Sequence, residues 1–475
     1  MPLKLLPPTV WHRWFSRCLL LAAVLSTALL IYASIVPLQY TPLSWHETWN
    51  RWDEVPWLQL EIYNRADWVA NALVIIPPAF FMTGALWFRW PTTGSRLLSA
   101  VLVAVAFGGL AYLIEFIQIW FPPRTVSQND IFAGCVGAVM GPIAWLVAGP
   151  LLAGLFVSFS QQPTIRRRLS ILSIFAMAAA VLYSVFPLDV VITAAEIRQK
   201  WESGRISFSL EIDSLLQRET LKGFVLSMAR AVPFGLWIGL AGYRVGRASL
   251  AITIIAIGLE AIQIPIFSKH STAWEMVGGF VGGLVGWWLG RGPEWVMKSC
   301  SNPWLWALAI SCFLVLAPLA MLGRYEVVVA DPDQLAERWQ GFWTPPLLRY
   351  YYTSEYAALT NLAGKIGMFA VFGVFVAGWC WSKRDLSSGP VFVTGLLIAG
   401  GVGLGIEMAQ IYLEPFHGDA TDVLIYMIGY WGGYTAAKHI LVGATATPGL
   451  QSSLRRQTSQ SGLNTLDLKH RRLER

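Results

Sequence analysis

Residues 115–141, EFIQIWFPPRTVSQNDIFAGCVGAVMG, decide how the rest of the chain is read. They set a carboxylate and an amide, Glu115 and Gln118, in an apolar helix and break around Arg124. A second helix then opens at Asp130 and carries Gly137 and Gly141. The same frame returns at Glu260, Gln263, Glu275, Gly282 and Gly286, and again at Glu407, Gln410, Asp422, Gly429 and Gly433. As a template it reads E-x2-Q-x11-[DE]-x6-G-x3-G, and its glutamates stand 145 and 147 residues apart. Coincident registers at one long period mark an internal repeat. Three tandem copies are therefore expected at 1–157, 158–297 and 298–442, with a flexible basic tail at 443–475.

The composition fixes the solvent. Hydrophobic residues make up 55% of the chain and charged residues 13%, about half the charged share of an ordinary soluble domain. Many apolar runs reach the ~20 residues a helix needs to cross hydrocarbon. The expected fold is an all-α, polytopic transmembrane helical bundle. A net charge of +7 fits Lys- and Arg-rich loops, and no basic stretch interleaved with aromatics suggests nucleic acid. The five cysteines are scattered without a C-x2-C pair, so neither a disulfide framework nor a zinc site is expected.

Each copy divides into four helices, about twelve in all. The first copy predicts them near 19–36, 68–88, 97–121 and 130–157, the second near 169–186, 224–243, 248–267 and 273–290. The third predicts them near 303–323, 362–381, 391–413 and 422–442. The first helix, preceded by Lys4, Arg13 and Arg17, is not followed by a small-residue cleavage site and is expected to be retained. Arg89, Arg96, Arg166, Arg167, Arg168, Arg244, Arg247, Arg291, Lys298, Lys383 and Arg384 all fall in loops on one side. The positive-inside rule then puts both termini in the cytoplasm. Glu115, Glu260 and Glu407 follow near the outer ends of their helices.

Glu and Gln three residues apart share a helix face, and a carboxylate at such depth normally faces a bundle interior or a wet cavity. Asp130, Glu275 and Asp422 each stand three residues after Ser127, Thr272 or Asp419, so helix capping is their first explanation. The paired glycines are small-xxx-small packing ridges. Arg124, Lys269 or His270, and His417 lie in the three breaks, as partners for the carboxylates or contacts for an anionic group. Asn71 lies near the outer end of its helix, with Ser227 and Asn361 expected at the matching places. Arg230 and Lys365 are expected to pair with Glu260 and Glu407. No P-loop, G-x-S-x-G, H-E-x2-H or dinucleotide fingerprint is present, and no cofactor or metal is expected.

At these residues the chain resembles the VanZ-like membrane proteins, named after a teicoplanin-resistance accessory protein. The resemblance rests on Pro37, Asn71, Pro77 (a Pro–small turn in the family pattern), Glu115, Gln118, Arg124, Ser127, Asp130, Gly134 and Gly137. It covers most of 19–148, and copies two and three depart from it. It implies a multi-pass protein of the bacterial cytoplasmic membrane, in a family linked to lipoglycopeptide resistance and to surface polysaccharide. The expected partners are membrane lipids, lipid-linked glycan or a lipoglycopeptide. Two other readings stand beside it. One is a transporter or flippase for an anionic lipid or glycan. The other is a membrane-embedded transferase or hydrolase with Glu115 as base and Arg124 holding an anion.

Overall fold

The protein is described by a computed structural model covering residues 8–442, except 60–61, 91, 162–164, 216, 293–297, 323–327, 354, 386–388 and 415. The expected tail at 443–475 and Lys4 lie outside the described residues. The first group of helices is α1 Pro8–Ile35, α2 Trp45–Asp53, α3 Ile62–Trp87, α4 Thr93–Gln118 and α5 Gln128–Gln161. The second is α6 Ile165–Val185, α7 Ala194–Glu202, α8 Ile212–Leu215, α9 Arg218–Leu240, α10 Val245–Ala261 and α11 Ala273–Arg291. The third is α12 Pro303–Leu322, α13 Pro332–Phe342, α14 Leu348–Tyr351, α15 Glu355–Ser382, α16 Gly389–Tyr412 and α17 Ala420–Val442. Two short strand pairs interrupt the all-helical expectation. β1 Ile206–Ser207 runs parallel to β2 Ser271–Thr272, and β3 Val328–Val329 antiparallel to β4 Leu413–Glu414.

Among the described residues, 9 helices are long and apolar enough to cross a membrane: α1, α3, α4, α5, α6, α9, α12, α15 and α16. The other three expected spans, α10, α11 and α17, are also helical. α10 is only 17 residues long, while glycines, tyrosines and a carboxylate dilute the apolar runs of α11 and α17. In α1 and α12 only 17% of the spanning window is buried inside the protein. Their outer faces present leucine and valine, a surface suited to lipid rather than water.

The three groups pack by one scheme. The first long helix lies on the second, the second on the fourth and the third on the fourth: α1, α3, α4 and α5; α6, α9, α10 and α11; α12, α15, α16 and α17. The glycine ridges set the closest of these approaches. Gly137 faces the Ala72 carbonyl, Gly282 that of Met228 and Gly429 that of Ile366. One turn on, Gly141, Gly286 and Gly433 face the carbonyls of Ile76, Val232 and Ala370. A Cβ at any of the six would lie within 3.0 Å of a neighbouring atom, so only glycine admits this approach.

Those contacts also fix which residues correspond. Asn71, Ser227 and Lys365 immediately precede Ala72, Met228 and Ile366. Lys365 therefore takes the place expected for Asn361. Pro77 and Pro78 lie within the continuous α3 rather than in a turn.

The segments between the first and second long helices are ordered by short capped helices. Ser44 caps α2, Thr193 closes a capping box with Glu196 on α7, and Asp331 caps α13 with Pro332 in the first turn. Each presents a cation seven residues after its cap: Arg51, Lys200 and Arg338. Lys200 is fully buried and donates to the Gln263, Ile264 and Ile266 carbonyls at 2.6–2.9 Å. Arg338 donates to those of Gln410, Ile411, Leu413 and Phe416. Both satisfy carbonyls that a helix end leaves open and match the negative end of its dipole. Arg51 instead pairs with Glu47 on the exposed face of α2, and Trp52 packs against Tyr112 and Phe116.

Candidate functional site

The end of α4 and the start of α5 bring Glu115, Ser127 and Asp130 together, and α3 adds Asn71. Ser127 accepts from the Asp130 N–H at 3.1 Å and donates its hydroxyl to Asp130 Oδ2 at 2.7 Å. Asn71 Nδ2 donates to Asp130 Oδ1 at 2.7 Å. The capping role of Asp130 thus holds, with Asn71 added. The charges of both Asp130 and Arg124 act on the Glu115 carboxylate. Glu115 is buried, and among the described residues its Oε2 has no hydrogen-bond partner.

Gln118 and Arg124 also turn to α1. Gln118 Nε2 donates to the Ser34 carbonyl at 2.9 Å. Arg124 Nε donates to Val36 at 2.7 Å, its Nη2 donates to the Ala33 carbonyl, and the guanidinium lies 4.4 Å over the Tyr351 ring. Both side chains close the carbonyl end of α1, the usual use of a cation at a helix C-terminus.

In the second group a cation reaches one oxygen of the glutamate, while Glu260 Oε2, like Glu115 Oε2, has no hydrogen-bond partner among the described residues. Arg230 Nη2 lies 3.0 Å from Glu260 Oε1 and also bonds Ser227, whose hydroxyl donates to the same oxygen at 3.0 Å. Gln263 Nε2 turns back to the Leu259 carbonyl at 2.9 Å. Thr272 accepts from the Glu275 N–H at 3.2 Å, but among the described residues no bond from the Glu275 carboxyl returns to the cap. The expected box is therefore half made. Lys269, at the register of Arg124, is buried 4.1 Å over the Tyr183 ring, whereas His270 is exposed.

In the third group both oxygens of Glu407 are served, by Tyr426 Oη at 2.6 Å and the Asp419 N–H at 2.9 Å. Lys365 Nζ does not pair with Glu407 as expected. It bonds Asp422 Oδ2, and Tyr350 donates to Asp422 Oδ1 at 2.6 Å. The reason is register: at the place of Asn71, Lys365 meets the residue Asn71 meets. Gln410 is buried, and its carbonyl accepts from Arg338. His417 is exposed on the loop.

Outside the spans, burial shifts several groups. It raises the carboxyls of Asp189 and Asp419 above the usual carboxylate range. It brings the ammonium groups of Lys200 and Lys269 down to about 8. Among the described residues no group of three or more His, Cys, Asp or Glu is placed to hold a metal ion.

Lys200, Arg338, Asn129, Tyr350 and Tyr426 carry structural contacts that the repeat frame does not point to. Asn129 holds Leu58 by both backbone groups, at 2.7 and 3.1 Å, strapping the preceding loop to the start of α5. The recurring cation seven residues after each cap could have been found by aligning the loops. Tyr426, one turn after Asp422, shares its helix face. Nothing local announces Tyr350.

An apolar bundle of this span length that keeps its carboxylates inside is a multi-pass membrane protein. Residues 24–152 match the VanZ/LLP1 family model, so this chain carries a VanZ-like domain there. The resemblance read from Glu115, Gln118, Arg124, Ser127 and Asp130 is borne out for that stretch. No curated protein and no solved structure matches the chain.

Proposed function

We propose that the chain is a threefold VanZ-like protein of the bacterial inner membrane, with twelve spans and both termini in the cytoplasm. Its first cluster takes the hydroxyl or ammonium groups of a lipid-linked glycan, a lipid headgroup or a lipoglycopeptide at the outer leaflet. The repeated glycine register and packing scheme support the triplication. The observation that carries the binding reading is the buried Glu115 Oε2, partnerless among the described residues; Glu260 Oε2 shares that lack, and what sets Glu115 apart is that its group's second long helix brings no cation to the cluster. The second and third groups bring Arg230 and Lys365 to their carboxylates, whereas α3 supplies only the neutral Asn71. A buried carboxylate oxygen without a donor is costly, and a ligand that donates relieves the cost. A hydrolase with Arg124 holding an anion is less well supported, because that guanidinium closes α1.

Glu115→Gln puts an amide donor where the acceptor stood. Losing one charge-assisted hydrogen bond, worth ~1.5–3 kcal/mol, lowers ligand affinity about tenfold to a hundredfold. Cells carrying this variant are expected to show altered envelope lipid and glycan profiles and altered lipoglycopeptide susceptibility. Glu407→Gln cells are the control, since both Glu407 oxygens are already satisfied. An envelope and susceptibility unchanged by Glu115→Gln would sink the reading.

A further inference from the structure

At the other end of the first group, the start of α1 and the end of α3 flank a half-open cavity of about 370 Å³ lined by Arg13, Ser16, Arg17, Phe88 and Arg89. Three guanidinium groups from two distant segments meet there, and among the described residues no carboxylate lines the cavity. None of the three makes an ion pair among the described residues. Arg13 and Arg17 stand one turn apart on the same helix face, a spacing at which like charges destabilise the helix. Adding Arg89 increases that repulsion, which an anion seated among the three would relieve.

The cavity is also organised. Ser16 is buried, donates to the Ala85 carbonyl at 2.9 Å and lies 3.4 Å from Arg89 Nε, which fixes that guanidinium against α1. Phe88 packs edge-on against Phe15 at 5.5 Å and gives the floor an aromatic wall. Trp14 and Trp90 are exposed nearby, the residue type that gathers at the headgroup level of a bilayer. Arginine forks match phosphate oxygens in pairs. Helices of membrane-spanning length begin or end at this level, so the phosphate within reach is that of a lipid.

We propose that Arg13, Arg17 and Arg89 form a binding site for the phosphate of an anionic phospholipid, separate from the carboxylate clusters. The first group is thereby held at both ends, by basic groups at one and by acidic groups at the other.

The test uses the full chain in nanodiscs, with phosphatidylglycerol as the probe in a phosphatidylcholine background. Retention of phosphatidylglycerol is read by native mass spectrometry for the wild type, the R13Q/R17Q/R89Q variant and R96Q. Arg96 is the control cation, since it lies over the Trp87 ring and does not line the cavity. Each neutralised arginine is expected to weaken retention about fivefold, the equivalent of ~1 kcal/mol per basic residue at an anionic surface. R96Q should retain the lipid as the wild type does. Should the triple variant not fold, the wild type alone decides by its preference for phosphatidylglycerol over phosphatidylcholine. Equal retention of the two lipids by the wild type, or loss in R96Q matching that of the triple variant, overturns the proposal. So does displacement of the lipid by millimolar inorganic phosphate, which would make the free anion the ligand.

Discussion

Arg230 illustrates what a cation does inside one of these clusters. It is buried, 3.0 Å from Glu260, with Ser184 3.2 Å away. Removing one member of a buried pair strands the other, at a cost of ~3–5 kcal/mol. Arg230→Met is therefore expected to lower the thermal midpoint of the purified protein sharply. Arg230→Met with Glu260→Gln should recover most of it, because the stranded charge is gone. A double variant no more stable than the single would show that the guanidinium acts by packing alone. The same logic separates Glu115 from Glu407. One register holds a carboxylate with both oxygens served and another with one oxygen left open, so the two side chains call for different explanations. Burial and residue type do not distinguish them, and only the partners do.

Between α3 and α5, α9 and α11, and α15 and α17, the helices touch at glycine. Gly137→Leu and Gly433→Val would drive side chains into the backbones of Ala72 and Ala370, and overpacking of this kind costs ~1–3 kcal/mol or more. Gly405→Ala and Gly432→Ala, with nothing within 4 Å of the added carbon, should leave the unfolding midpoint unchanged. If all four behave alike, the ridge is not what brings the helices together. This ridge was legible in the sequence because its four-residue period is local, as were the long helices and the E-x2-Q frame. The partners of the polar residues were not. Arg124 reaches carbonyls 88 and 91 residues away, and Lys365 meets Asp422 across 57 residues. Choosing Asn361 rather than Lys365 as the counterpart of Asn71 is an error of one helical turn, which only the packing of α15 on α17 resolves. The short helices α2, α7 and α13 hid in the loops because their apolar content is low and their stability comes from caps and long-range contacts.

Each of the three groups touches both of the others. Tyr32 donates to the Pro346 carbonyl at 2.8 Å and Tyr351 to that of Pro123, joining the first to the third. Arg168 donates to the His439 carbonyl at 2.8 Å, joining the second to the third. The first meets the second where Arg65, on α3, grips Glu196 in the capping box of α7 at 3.0 and 3.2 Å. This last contact is the one that acid should release. The Arg65 guanidinium, with the Ile192 and Thr193 N–H groups, holds the Glu196 carboxyl down from its ordinary 4.5 to about 2. Between those values the unfolded or detached state binds more protons than the folded one. The stabilisation is therefore complete above pH 4.5 and is lost as the pH falls towards 2. The Glu196 side chain is 16% exposed, so salt should screen the effect in part. Thermal unfolding of the purified protein from pH 6 to 2.5 in low salt should show a midpoint that declines in that window. Glu196→Gln should lose this component of the decline and start from a lower midpoint at pH 6. A wild-type profile that parallels the Glu196→Gln profile throughout would mean that the first and second groups hold together without this ion pair.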